Sequence, residues 1–131
     1  MDTEQLNDLV PLSRTLGMRL RDATPDRVVL EMEWRPDLCT AAGVLHGGAL
    51  MSLVDTAGAV CAFLNLPDGS GGTTTAESST KLLAAVREGT VTATATALKA
   101  GRTLIVVETE VRDGDGRLAS KTTQTQVALG G

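Results

Sequence analysis

The stretch "GVLHGGALMSLVDTAGAVCAFLNL", residues 43 to 66, constrains this chain more than any other. It is long, apolar and glycine-punctuated, and it carries one carboxylate, Asp55, near its middle. Apolar residues recur without the strict alternation of a strand, so the run reads as a helix buried against other structure. A membrane-spanning helix is the competing reading. Asp55 at its centre would cost ~2.5–3.5 kcal/mol, the many Gly, Ala, Ser and Thr residues return little insertion energy, and basic flanks are missing.

What could bury such a helix follows from the segments around it. "EQLNDLVPLSRTL" places Leu6, Leu9, Val10, Leu12 and Leu16 at roughly helical spacing, with Pro11 marking a break or a second short turn. In "GMRLRDATPDRVVLEMEW", Met18 and Leu20, then Val28, Leu30, Met32 and Trp34, alternate with polar partners around a turn at Ala23 to Asp26. This predicts a hairpin. Residues 35 to 45 read as a loop. After "LPDGSGG", the Thr-rich "TTTAESSTKLL" reads as a polar edge strand. "TVTATATALK" alternates, with Val91, Ala93, Ala95 and Ala97 on one face. "TLIVVETEVR" and "RLASKTTQTQVAL" complete an antiparallel meander with Gly-containing turns. The "DGDG" turn lacks the ligand spacing and distal Glu of a calcium loop. About six strands, each with one apolar face, and one long helix describe an α+β fold: an antiparallel six-stranded sheet wrapped around a central helix, with a short N-terminal helix. The lengths agree, because ~20 helical residues and ~9 strand residues both span about 30 Å.

At 131 residues, with 42% apolar and 21% charged residues, the chain is expected to form a single soluble domain over residues 1–131. Its net charge of −4 and the scatter of its 12 basic residues give no footprint for nucleic acid. The N-terminus "MDTEQLNDLV" lacks the basic start and apolar run of an export signal, so the expected location is cytoplasmic, away from membranes. Cys39 and Cys61 fit no metal or redox spacing, and a lone histidine cannot build a metal site. No metal or cofactor is expected.

Asp55 admits two readings: a hydrogen-bonding or solvent-facing structural carboxylate, or a base or nucleophile at the edge of an apolar pocket. His46-Gly47-Gly48 is similarly open. It is either a capped tight turn or a helix start whose exposed N–H groups stabilise developing negative charge. Geometry narrows the functional reading. His46 and Asp55 are nine residues apart, so they point to opposite sides of one helix and lie ~13.5 Å apart along it. If both serve one reacting carbon, the site must lie between two subunits related by a two-fold axis.

"GVLHGGALMSLVDTAGA", followed by Thr75-Ala76-Glu77 and "LKAGRTLIVVETEVRDGDGRLASKTTQTQ", resembles the hotdog-fold acyl-CoA thioesterases, particularly their phenylacetate-pathway-like, Asp-type subgroup. The similarity covers about residues 10 to 128. It implies a hotdog fold, hydrolysis of an aryl- or medium-chain acyl-CoA, and a homodimer with shared active sites that could pair into a tetramer. It also implies that the Gly47 N–H polarises the thioester carbonyl, that His46 and Gly48 shape the site, and that Asp55 is general base or nucleophile. Thr75, with Thr74 as the register alternative, would place the attacking water. Thr40 stands where relatives carry Asn or Gln, and a shorter side chain there leaves one hydrogen bond at most. Ala59 replaces the Ser or Thr of the Glu-type enzymes. Lys81, Lys99, Arg102 and Arg87 are candidates for the CoA phosphates. A non-catalytic acyl-CoA-binding or regulatory domain of the same fold is the alternative, and a dehydratase would need its histidine elsewhere.

Overall fold

The computed structural model describes residues 1–130. The N-terminal segment forms two short helices, α1 (Thr3–Leu9) and α2 (Pro11–Thr15). Asp2 caps α1, accepting from the Gln5 N–H at 2.8 Å while the Gln5 side chain accepts from the Asp2 N–H at 2.9 Å. This reciprocal pairing satisfies two donors that a helix start leaves free. Pro11 has no N–H to continue α1, and its fixed φ suits the first position of α2. The predicted break is therefore a second helix.

Six strands follow: β1 (Arg19–Ala23), β2 (Val28–Glu33), β3 (Gly72–Leu82), β4 (Thr90–Ala100), β5 (Leu104–Arg112) and β6 (Leu118–Leu129). They form one antiparallel sheet in the order β1-β2-β4-β5-β6-β3, which leaves β3 on an edge as its polar composition predicts. The central helix α3 (Gly47–Leu64) lies on one face of the sheet. Leu53, Val54, Ala57 and Cys61 of α3 are fully buried with Leu30 and Met32 of β2, Val91, Ala93 and Ala95 of β4, and Ile105 and Val107 of β5. The helix is long and apolar enough to cross a membrane by length and composition, but this apolar face packs on the sheet. This is the arrangement that the hotdog resemblance implies, with α3 as the sausage.

Two expectations need correction. Not every strand has an apolar inner face: β6 buries Ser120, Thr122, Gln124 and Gln126, and Thr73, Thr75 and Thr80 of β3 share hydrogen bonds with that face or with α3. Burial without partners would be costly, so Thr122, Gln124 and Gln126 bond to β3 or α3, whereas Ser120 Oγ is left without a partner. Nor is α3 enclosed by its own chain. Met51, Asp55 and Phe63, spaced by multiples of four, form an exposed stripe beside the β3 edge. The Asp55 carboxylate is therefore not desolvated by its own chain.

Candidate active site

Asp55 projects from the open side of α3 towards β3 and β6. Its Oδ1 accepts from the Thr75 hydroxyl at 2.9 Å and from Gln124 Nε2 at 3.2 Å. Thr75 Oγ1 accepts in turn from Gln126 Nε2 at 2.6 Å, and Gln126 Oε1 accepts from the Thr73 hydroxyl at 3.0 Å. The donors thus run in one direction, Thr73 to Gln126 to Thr75 to Asp55, and converge on a single carboxylate oxygen. Among the described residues, Oδ2 receives no hydrogen bond and Asp55 joins no salt bridge. One oxygen is fixed and the other is free. Asp55 lines a hollow of about 440 Å³ together with Val10, Leu12, Met51, Thr75 and Ser78.

Gly58, one turn after Asp55, lets the Gln124 amide lie against the helix: a Cβ there would come within 1.8 Å of Gln124 Oε1. Its small size serves close helix-to-sheet packing. Ala59, which points elsewhere, lines a separate apolar hollow. Gln124 Oε1 is buried without a partner, while its amide nitrogen holds Asp55. Such an orphan is expensive and is retained only where the surroundings fix it.

The start of α3 is organised around His46, whose Nδ1 accepts from the Gly48 N–H at 2.7 Å and caps the helix. Ala49 and Leu50 N–H groups donate to the His46 carbonyl. Among the described residues this leaves the Gly47 N–H as the unengaged donor of the first turn. It opens on a hollow of about 360 Å³ lined by Thr40, Leu50, Leu82 and Leu83. A Cβ on Gly47 would meet Leu82 Cδ1 at 2.7 Å, so glycine keeps this wall open. Thr40 does stand beside Gly47, held by its N–H to the Val44 carbonyl at 2.8 Å.

The structure thus brings Asp55 to Thr75 and Gly47 to Thr40, but these pairs lie at two places along β3, near Thr75 and near Leu82. The candidate cations do not join them on the inner face. Lys81 pairs with Lys121, whose ammonium binds Glu108 at 2.7 Å, on the face away from α3. Lys99 pairs with Val106 and, with Arg102, sits at the β4–β5 turn. The row through Lys81, Lys121 and Glu110 crosses β4 at Thr94, five positions or roughly 17 Å from Lys99. Arg87 lies with Arg117 in an open hollow of about 700 Å³ that shares Ala85 with the Gly47 hollow. That hollow is lined by neither Asp55 nor Gly47. Among the described residues no three His, Cys, Asp or Glu side chains group as metal ligands.

Sequence reasoning missed Gln124, Gln126 and Thr73. Their signal was weak: an alternation of Thr and Gln along β6 with polar residues on both faces.

The hotdog sheet thus carries a fixed carboxylate on its helix and an unengaged N–H at the helix start. The chain belongs to the thioesterase superfamily, whose sequence model matches residues 42–120. A provisionally named esterase of Saccharolobus solfataricus is 33% identical over 106 residues, covering 81% of this chain and 74% of that protein. A Haemophilus influenzae thioesterase structure superposes with a TM-score of 0.90 at 26% identity, covering 99% of this chain and 92% of that one. The PaaI protein of E. coli, from the phenylacetic acid degradation operon, shares the fold with a TM-score of 0.88 at 20% identity, covering 99% of this chain and 92% of its own. The family supports thioester hydrolysis as the reaction class.

Proposed function

We propose that the protein hydrolyses acyl-CoA thioesters at two sites shared by a pair of chains. The observation that carries this reading is the Asp55 carboxylate, anchored through Oδ1 by two neutral donors, its Oδ2 without a hydrogen bond, in a residue that lines a hollow at an unpaired sheet edge. The unpaired oxygen is an acceptor available to a water molecule.

The edge supplies the second half. Thr75, beside Asp55, and Leu82, beside Gly47, are equidistant from the Ser78–Ser79 step. Antiparallel pairing of two β3 strands about that step sets Leu82 of one chain against the partner's Thr75. Gly47 then faces the partner's Asp55, and the exposed strand edge is covered. The thioester carbonyl oxygen accepts from the Gly47 N–H, where the helix N-terminus favours the charge that develops. Oδ2 of the partner's Asp55 takes a proton from water as its oxygen bonds to the carbonyl carbon. The tetrahedral intermediate collapses with cleavage of the C–S bond, giving the free acid and CoA thiolate, which is then protonated. Direct attack by Oδ2 reaches the same products through an anhydride that water cleaves. Thr75 spends its hydroxyl proton on Asp55, so its role here is to aim the carboxylate rather than to donate to the water.

Thiol release from aryl-, short- and medium-chain acyl-CoAs tests this. Asp55→Asn should lose ~10² or more in turnover, the lower range for a general base. Full activity in that variant would sink the assignment, and acyl-CoA binding without release by the unmodified protein would support a binding domain instead. Co-assembling Gly47→Pro chains with Asp55→Asn chains should restore part of the activity. If each chain carried a complete site, mixing would restore none.

A further inference from the structure

Asp55 is bonded at two successive rows of the β3–β6 ladder. Thr75, which donates to Oδ1, pairs with Gln126, and Gln124, the other donor, pairs with Ser78. The β3 irregularity between Thr75 and Glu77 makes Ser78 the next residue after Thr75 on the face towards α3, opposite buried Gln124. Successive rows on one face lie roughly 7 Å apart, so a carboxylate bonded at both sits between Thr75 and Ser78. Ser78 lines the same hollow as Asp55. The other hydroxyls around that hollow are spent. Thr75 gives its proton to Asp55, Ser52 to the Gly48 carbonyl at 2.9 Å and Thr56 to the Ser52 carbonyl at 2.8 Å. Among the described residues that line the hollow, Ser78 carries the one hydroxyl proton not committed to the fold.

We propose that Ser78 is a catalytic residue that holds the attacking water, the task that the thioesterase resemblance assigns to Thr75. This rests on the reading of Asp55 as the hydrolytic centre. The carboxylate keeps Oδ2 unpaired, and Ser78 keeps its proton. A water that links them makes two hydrogen bonds of ~2.8 Å and spans about 5 Å, less than the spacing of one row. The water donates one proton to Oδ2 and accepts the Ser78 proton on one lone pair, which leaves its other lone pair for the carbonyl carbon. As the O–C bond forms, the donated proton passes to Oδ2. Ser78 keeps its own proton throughout and is not acylated, because no base takes the proton from its hydroxyl. Val10, Leu12 and Met51 line the rest of the hollow with apolar side chains, which offer this water no competing partner.

The test measures kcat and KM for thiol release from the best acyl-CoA of the panel, using the unmodified protein, Ser78→Ala, Ser78→Thr and Asp55→Asn. Ser78→Ala should lose about three- to tenfold in kcat, the worth of one neutral hydrogen bond, with KM changed by less than about twofold. Ser78→Thr keeps the hydroxyl and suits a strand, so its kcat should stay within about threefold of the unmodified protein and above that of Ser78→Ala. Because the held water reacts only through Asp55, adding Ser78→Ala to Asp55→Asn should lower kcat no further. Ser78 is exposed and makes no side-chain bond within the fold, so the melting temperature of Ser78→Ala should move by less than about 3 °C. Unchanged kcat in Ser78→Ala, a loss that Ser78→Thr shares, or a loss carried by KM overturns the assignment. If Asp55→Asn is inactive in that same experiment, the hydrolytic reading stands without Ser78. Full activity in Asp55→Asn, or no thiol release from any acyl-CoA by the unmodified protein, removes both readings together.

Discussion

Replacing Gly58 with Ala tests the link between helix packing and the candidate catalytic carboxylate. The new Cβ would sit 1.8 Å from Gln124 Oε1, 2.4 Å from its Cδ and 2.9 Å from its Nε2. All three distances are too short to persist. Gln124 is buried, so its amide cannot swing into solvent, and moving it breaks the 3.2 Å bond from Nε2 to Asp55. Two terms oppose each other. Ala in place of a helical Gly gains ~0.8–1.0 kcal/mol, whereas overpacking a filled core costs ~1–3 kcal/mol. With a whole amide displaced, the steric cost wins by about 1–2 kcal/mol. For a chain of this size the melting temperature should fall by about 5 °C. Losing a hydrogen bond to a charged acceptor, worth ~1.5–3 kcal/mol, should lower kcat by about tenfold or more if the carboxylate must be aimed. Thermal unfolding and thioester hydrolysis measured on the same preparations check both numbers. The double variant Gly58→Ala, Gln124→Ala should regain stability relative to Gly58→Ala and keep the low kcat, showing coupling between the two sites. A Gly58→Ala protein with a raised melting temperature and full kcat would refute the reasoning, because it would mean that Gln124 repacks freely and does not hold Asp55.

Thr75→Val should destabilise by ~1–3 kcal/mol, because it leaves Gln126 Nε2 without its acceptor, and should lower kcat as well; urea melts should find Thr75→Ser close to the unmodified protein. Backbone donation from Arg117, then from Asp115, together with the Arg117 side chain, holds the Asp113 carboxyl below its usual range. A depressed carboxyl stabilises the fold above its ordinary value, near 3.9, and loses that contribution as pH falls through the depressed value. Asp113→Asn should therefore be less stable at neutral pH and show a shallower acid decline in melting temperature against pH. Burial pushes the Cys61 thiol up, so iodoacetamide at mildly alkaline pH should label Cys61 only as the protein unfolds, as followed by mass spectrometry.

The elements legible in the sequence are those whose burial is apolar. Val91, Ala93 and Ala95 announce β4 by parity alone, and Val28, Leu30 and Met32 do the same for β2, because each faces α3 and is fully buried. β6 gives no such signal. Its inward Thr122, Gln124 and Gln126 are as polar as its outward Lys121 and Thr123, and the strand is placed by pairing with β5 and β3 rather than by its own pattern. Asp55 was legible as an anomaly, but its partners were not, since a glutamine in a strand carries no mark of the helix it will meet.

The lysines show why parity counting fails at this site. Counting by twos from Thr75 puts Lys81 on the same face, and counting by twos from Ala97 does the same for Lys99. A one-residue irregularity interrupts each count. The β3 register shifts between Thr75 and Glu77, and the β4 register shifts between Ala97 and Lys99. Beyond the first shift, Thr80 meets buried Thr122 and Leu82 meets Gly47, which turns Lys81 outward. Beyond the second, Lys99 pairs with Val106 while Ala100 pairs with buried Ile105, so Lys99 turns outward too. A one-residue slip exchanges the faces of every residue that follows it. Together the two bulges keep both ammonium groups off the face that carries Asp55. Asp55 itself is held by neutral donors on Oδ1, which fix its direction and leave Oδ2 unpaired among the described residues.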